Sequence, residues 1–539
     1  MTPLSITIFL NDRSFEYDVY TLVIAFFQGV PTKVLDPVER NGFEDARDPV
    51  QESHPEGVLG SPEEDHPGFV RDPDADRCLT IEVLILPERI CLSIHCPAHC
   101  PVRCPVHCLQ REIPLEPSAD RGRVKNLLKR SLYEMLREIC RRDLPWGSLT
   151  GIRPVKLAMQ LLEDNGSGTT ASGNAGLQAG RESYARQRMQ ELYFTSPGKA
   201  DLAVRIAKRE RSILSGIDTA NGYSLYIGIP FCPSICLYCS FSSSPLHIWK
   251  DRVDEYLDAL LKEMRSCREC FPGKTLHTVY IGGGTPTTLT EDQLDRLLDE
   301  VEENFDLSGV MEYTVEAGRP DSITRPKLEA LRRHPVTRVS VNPQTMNQKT
   351  LDLIGRAHTV EDTVRAYDMA RSAGFDNINM DLIVGLPGEG PEEVDTTMRR
   401  IEELDPDDVT VHALALKRAA RLALHMDEYE KISFQASDQI MERCEDGCRS
   451  LGMTPYYLYR QKNMAGNFEN VGYAKDGKAG LYNILIMEEV ECILALGASG
   501  STKIVHGDGR IERIENVKDI RNYLERTDEM ISRKAVLKG

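Results

Sequence analysis

From Tyr223 onward the chain alternates between short apolar runs and amphipathic stretches. Runs at 225–229, 277–281, 312–316, 338–341, 379–384 and 409–414 have strand length and carry many β-branched and aromatic residues. Helical periods lie between them, as at 253–264 and 294–305, and the second opens on a capping box from Thr290 to Gln293. Strand alternating with helix predicts parallel pairing through right-handed crossovers. Six such units predict an α/β fold, a partial (β/α)6 TIM-like barrel. Such barrels gather their chemistry at the C-terminal ends of the strands.

Before that rhythm the pattern is different. Apolar runs at 4–10 and 21–27 predict two strands, or a strand and a helix, and 79–86 alternates as a strand. At 124–140, Val124, Leu127, Leu128, Leu132, Met135, Leu136 and Ile139 share one side of an amphipathic helix. Pro154 is placed to open another. Three stretches read as disordered insertions. Residues 36–77 are rich in Asp, Glu, Pro and Gly and hold too little apolar surface to offset ordering entropy. Residues 95–108 repeat Cys, Pro and His with a four-residue period, and 164–182 form a Gly/Ser-rich break. The expected domains are an α+β module over 1–220, a barrel over 221–420, and a mainly helical extension over 421–539 that covers the substrate.

Composition narrows the function. The 539 residues are 41% hydrophobic and 27% charged, as in an ordinary globular protein. A formal net charge of −18 argues against nucleic acid as a partner. No apolar run approaches the roughly twenty residues of a membrane span. The N-terminus lacks a basic region and reads as a first strand. Fifteen cysteines, an odd number in so long a chain, point to free or metal-bound thiols in a reducing cytoplasm.

The chemistry concentrates at Cys232, Cys236 and Cys239, where Pro230 and Pro233 stop the strand and leave the thiols on a loop. Thiolates are soft ligands for iron–sulfur clusters or zinc. A structural zinc site needs four closed ligands, and no fourth Cys or His stands near. An iron–sulfur cube held by three cysteines keeps one iron open for a small molecule. Other strand ends carry Gly282-Gly283-Gly284-Thr285, Glu316 and Gln344, with Arg356 farther on. Asp381 sits inside an apolar run and needs a cation or donors if buried; Arg356 is a candidate. Cys267 with Cys270, and Cys444 with Cys448, read as structural thiols rather than a redox pair. The four Cys and three His of 95–108 offer metal ligands, but an inserted loop grown by slippage is the preferred reading.

Cys-x-x-x-Cys-x-x-Cys with Tyr238 before the last thiol resembles the signature of radical S-adenosylmethionine (SAM) enzymes. With 282–287, Glu316, Gln344, Arg356 and Asp381 in order, 223–420 resembles the oxygen-independent coproporphyrinogen III dehydrogenase family. Stretches 145–154, 456–464 and 496–500 are similar to its longer clostridial and bacillar branch. The resemblance implies a 4Fe–4S cluster on Cys232, Cys236 and Cys239, whose open iron chelates SAM and whose reduction yields a 5′-deoxyadenosyl radical. It implies a SAM pocket of Tyr226, Tyr238, Gly283, Gly284, Thr285, Glu316, Gln344, Arg356, Asp381 and Ala415. The implied reaction is oxidative decarboxylation of coproporphyrinogen III to protoporphyrinogen IX in haem synthesis. An electron donor such as flavodoxin or ferredoxin would serve a monomeric cytoplasmic enzyme.

An anionic macrocycle requires local cations, and Arg153, Lys156, Lys417, Arg418 and Arg460 are expected at the barrel mouth. The chain departs from the family pattern at Phe241, where a fourth cysteine is usual, and at Gly228, where His is usual. Two other readings share the motif: a haem-trafficking protein without decarboxylase activity, and another radical SAM reaction on a tetrapyrrole, such as methyl transfer in haem breakdown.

Overall fold

The computed structural model describes residues 5–37, 78–96, 108–151, 153–164, 174–239, 243–415, 436–461 and 464–538. Most of the expected insertions fall outside the described residues, including nearly all of 36–77 and of the Cys/His/Pro tract. The third insertion is a partial exception. Its second half begins the helix Asn174–Tyr193, where Ala, Gln, Arg and Glu favour helix over the expected loop.

The chain divides into two compact units, 1–150 with 189–196, and 151–188 with 197–539. The first unit therefore ends well short of the boundary expected at 220. The barrel and the region after it form one unit rather than two.

The first unit holds β1 (Ser5–Leu10), β2 (Thr32–Leu35), β3 (Cys78–Leu86), β4 (Arg89–His95) and β5 (Cys108–Pro114). They form one sheet in the order β2-β1-β3-β4-β5, parallel around β1 and antiparallel from β3 to β5. The ambiguous run at 21–27 ends the helix Glu16–Phe26, whose first turn carries Glu16 and Asp18 at the positive end of its dipole. Ile6, Ile8 and Leu10 alternate inward and are fully buried. They share a core with Leu128, Leu132 and Leu136 of the helix Arg121–Cys140.

The strands of the second unit begin with β6 (Gly222–Ile229) and a two-residue parallel pair, β7 (Phe231–Cys232) and β8 (Ser244–Pro245). It continues through β9 (Thr275–Gly283), β10 (Glu312–Gly318), β11 (Arg338–Val341), β12 (Ile378–Val384) and β13 (Asp408–Ala413). All six expected strands are present, and β6-β9-β10-β11-β12-β13 are parallel neighbours. The capping box is present too: Gln293 N–H donates to Thr290 Oγ1 at 3.3 Å, and Thr290 N–H donates to Gln293 Oε1 at 3.0 Å.

The region after the barrel has helices, among them Asp438–Ser450 and Leu481–Glu488, and also strands that the hydropathy pattern did not announce. They are β14 (Thr454–Tyr459), β15 (Asn470–Ala474), β16 (Cys492–Leu496), β17 (Ser501–Val505) and β18 (Ile511–Glu515). All five join the barrel's sheet. β15 and β14 run antiparallel beyond β13, while β16 lies parallel on the outer side of β6 and leads to β17 and β18. The parallel run is thus extended at its first edge and remains open.

Buried polar contacts fix β16 against β6. Thr278 Oγ1 donates to Ser224 Oγ at 2.7 Å, and Ser224 Oγ donates to Glu491 Oε1 at 2.6 Å. Tyr256 Oη donates to Gly228 O at 2.7 Å and accepts from Ala498 N–H at 3.0 Å. Glu263 accepts from Gly497 N–H at 2.8 Å and from Lys534 Nζ at 2.8 Å, in an ion pair with both side chains 0% exposed. Cys267, Cys270, Cys444 and Cys448 are buried free thiols in this unit, matching the packing role expected of them.

Candidate active site

β6 ends at Pro230, which has no N–H to continue the ladder. The loop that follows is tied at several points. Ser244 N–H donates to Pro230 O at 2.7 Å, Leu237 N–H to Ile354 O at 2.9 Å, and Cys239 N–H to Cys236 O at 3.1 Å. The glycine turn after β9 lies directly against it. Gly284 N–H donates to Ile229 O at 2.8 Å, and Thr285 N–H to Phe231 O at 2.7 Å. A Cβ on Gly284 would stand 2.5 Å from Phe231 O, so only glycine permits this approach.

The three cysteines open onto one cavity of about 550 Å³. Tyr226, Tyr238, Gly283, Gly284, Thr285, Glu316, Gln344, Arg356, Asp381 and Ala415 line the same cavity. The polar ends of the barrel strands have therefore converged in one place, as parallel barrels require.

Each polar group has a defined setting. Tyr226 and Tyr280 stack with Tyr482, the latter pair at 4.4 Å between ring centroids. The Tyr280 hydroxyl donates to Glu316 Oε1. Burial lifts the Glu316 carboxyl to about 7, with Tyr280 opposing that rise and Asp381 adding to it. Asp381 meets His412 at 3.8 Å and accepts from Asn379 Nδ2 at 2.8 Å, so Arg356 is not its partner. Burial works against the Asp381 charge, but bonding to His412 holds its pKa below the usual value. Gln344, 7% exposed, adopts φ 70°, and its N–H donates to Asp381 O at 2.9 Å. A non-glycine residue in that region is strained and persists only where its surroundings hold it. Thr285 Oγ1 is turned onto Cys232 Sγ at 3.5 Å.

Arg356 donates to Asn342 O and, at 3.1 Å, to Tyr238 Oη, and it stands against the Cys236 thiol, while its buried Nε has no hydrogen-bond partner. A buried cation with an unused donor is suited to an anion. Two other arginines line the cavity. Arg338 pairs with Asp408 at 2.7 Å, and Arg319 with Asp321 at 2.7 Å.

Three of the five substrate cations expected from sequence lie among the described residues, and none of them lines this cavity. Arg153 pairs with Glu489 at 2.8 Å and donates to Met487 O, while Lys156 is exposed on the helix Pro154–Glu163. Arg460 is 4% exposed and donates to Asn467 Oδ1 at 2.6 Å, and burial lowers its pKa to about 10. Lys417 and Arg418 lie outside the described residues.

Several lining residues escaped the sequence reading: Arg319, Arg338, Ser340, Asn342, Asn379, Thr410 and His412. A signal for three of them was present. In Arg338-Val-Ser340-Val-Asn342 every second residue is polar, and on a barrel strand buried on both faces those positions must face the interior.

The donor set fits the cluster. Among the described residues no three His, Cys, Asp or Glu converge on a position for a single metal ion. That argues against a mononuclear zinc centre, whereas thiolates on a cube each hold a different iron. The buried, underused Arg356 and the Gly283–Gly284 cradle fit an amino-acid cofactor beside it.

Comparison with known proteins agrees. Residues 226–401 match the radical SAM superfamily model. The chain is 39% identical over 417 residues to the oxygen-independent coproporphyrinogen-III oxidase-like protein HemZ of Bacillus subtilis, covering 76% of this chain and 80% of that one. It is 38% identical over 195 residues to the heme chaperone HemW of the same organism, covering 36% of this chain and 51% of the relative. A solved coproporphyrinogen III oxidase from Escherichia coli is 25% identical, with a TM-score of 0.47 over 60% of this chain and 73% of that one. The fold and cavity thus belong to a radical SAM protein, with a 4Fe–4S cluster and SAM as its cofactors. Within that class, the chain belongs to the oxygen-independent coproporphyrinogen III oxidase family.

Proposed function

We propose that this protein oxidatively decarboxylates coproporphyrinogen III to protoporphyrinogen IX, as an enzyme of anaerobic porphyrin synthesis in the cytoplasm. The observation that carries this reading is the long match to the oxidase-like relative, taken with a cavity that gathers the three-thiol loop and the polar strand ends in one place. Each of two propionate side chains would lose a hydrogen atom from its β-carbon, carbon dioxide and one electron, leaving a vinyl group. When bound, the cluster and SAM supply a carbon-centred radical oxidant strong enough for that hydrogen.

The chain's own residues do the rest. Cys232, Cys236 and Cys239 hold the cluster, and Arg356 receives a carboxylate. The strand-borne Glu316 and Asp381 offer acceptors for hydroxyls or an amine. The rings of Tyr226, Tyr280 and Tyr482 give the macrocycle a flat wall and keep water from the reacting carbon. An electron donor such as flavodoxin or ferredoxin would reduce a monomeric enzyme.

The similarity to a heme chaperone, and Phe241 in place of a fourth cysteine, support a second reading in which haem is bound without turnover. Anaerobic incubation of the reconstituted protein with coproporphyrinogen III, SAM and a reductant decides between them. Vinyl-bearing product supports the enzyme; haem bound without product supports the carrier. An opened or methylated macrocycle would overturn both.

A further inference from the structure

Arg319 stands directly behind the cysteine loop and is absent from the cofactor and substrate roles assigned above. It is 3% exposed and follows the end of β10. Its Nη1 donates to Ser234 O at 3.0 Å, to Ser234 Oγ at 2.9 Å and to Cys236 Sγ at 3.7 Å. Ser234 lies midway between Cys232 and Cys236, so one guanidinium nitrogen grips both the loop and a thiol. The other two nitrogens form a fork on Asp321, Nε to Oδ1 at 2.9 Å and Nη2 to Oδ2 at 2.7 Å. That fork fixes the plane of the guanidinium, and its direction toward sulfur follows. Ser322 Oγ donates to Arg319 O at 2.8 Å and holds the backbone.

We propose that Arg319 is a positioning residue that tunes the reduction potential of the cluster through its hydrogen bond to Cys236, with Asp321 limiting the effect of its charge. The proposal rests on the cofactor assignment made above. A cluster gains negative charge when an external one-electron donor reduces it. A donor hydrogen bond to a ligating sulfur and a nearby cation both favour the more negative state. Arg319 therefore makes reduction easier. Asp321 acts in the opposite sense by neutralising part of the cation, while keeping the fork in place. Arg338 is occupied by Asp408, and Arg356, which also stands against Cys236, is left in place by both variants below, so neither accounts for a difference between them.

The test is a redox titration of the anaerobically reconstituted full chain, followed by electron paramagnetic resonance, with iron and sulfide content measured in parallel. Arg319→Gln is expected to move the cluster midpoint to more negative potential, and Asp321→Asn to move it to less negative potential, each at wild-type iron content. Opposite displacements are the signature, because a purely structural role would not give two signs. Midpoints equal to wild type in both loaded variants overturn the proposal. If Arg319→Gln does not load iron, Asp321→Asn decides alone, and an unchanged midpoint there overturns it. A wild-type protein that loads no cubane cluster removes the cofactor assignment itself, a separate result from unshifted midpoints.

Discussion

The Tyr280 hydroxyl donates to Glu316 on the cavity wall, joining two neighbouring strands, and burial lifts the Glu316 carboxyl to about 7. A carboxyl raised from its ordinary value of 4.5 binds a proton more tightly in the folded state than in the unfolded one. Folding stability from this group is complete below pH 4.5 and is lost as pH rises through about 7. Glu316→Gln removes that loss. Compared with wild type by urea unfolding, the variant should gain about 1–3 kcal/mol between pH 5 and pH 8. Its SAM dissociation constant should rise about tenfold, from the loss of a charge-assisted acceptor.

Single replacement of Cys232, Cys236 or Cys239 by Ser should abolish the cluster, since three ligands leave no spare. Iron and sulfide content after anaerobic reconstitution should fall to background. Replacement of Cys444, a fully buried core thiol, should leave iron content at the wild-type level.

Gly284→Ala places a Cβ 2.5 Å from the carbonyl of Phe231, which is backbone and cannot rotate away. The glycine turn must back off from the cysteine loop at a cost of about 1–3 kcal/mol. Isothermal titration should show SAM affinity weakened at least tenfold while the circular dichroism spectrum is unchanged.

Arg338 and Asp408 are 2% and 0% exposed and 2.7 Å apart, and Tyr456 Oη donates to the same Asp408 oxygen at 2.8 Å. Arg338→Met leaves Asp408 buried without its cation and should cost about 3–5 kcal/mol in denaturant unfolding. The double variant Arg338→Met/Asp408→Leu should recover much of that loss, because both desolvated charges are gone.

The six barrel strands were legible because each is a short apolar run between helical periods, and those boundaries differ from the observed ones by a few residues. The cysteine loop and the glycine turn were legible from spacing. β16 was not, because Cys492–Leu496 is a five-residue apolar run whose partner is set by tertiary contacts. Tyr482 was equally hidden, since the helix Leu481–Glu488 brings it to the Tyr226 stack from far along the chain. Arg153 and Arg460 misled for a related reason. Charge suggests a ligand, but whether a cation already has a partner is decided by the fold, as Glu489 and Asn467 show. The helix Glu16–Phe26 was ambiguous because its second half is apolar nearly all round, which erases the period.

The strand that leads into the cysteines has one neighbour close in sequence and another very distant: 267 residues separate Ser224 from Glu491. During synthesis, β6 and β9 can pair while β16 is still unmade, so the thiol loop emerges with one flank bare. Closing that flank is a long-range event and therefore slow. Iron delivered to the finished chain meets a fully buttressed loop; iron delivered to the growing chain does not. The order of assembly in the cell is thereby tied to where the last parallel strand is encoded.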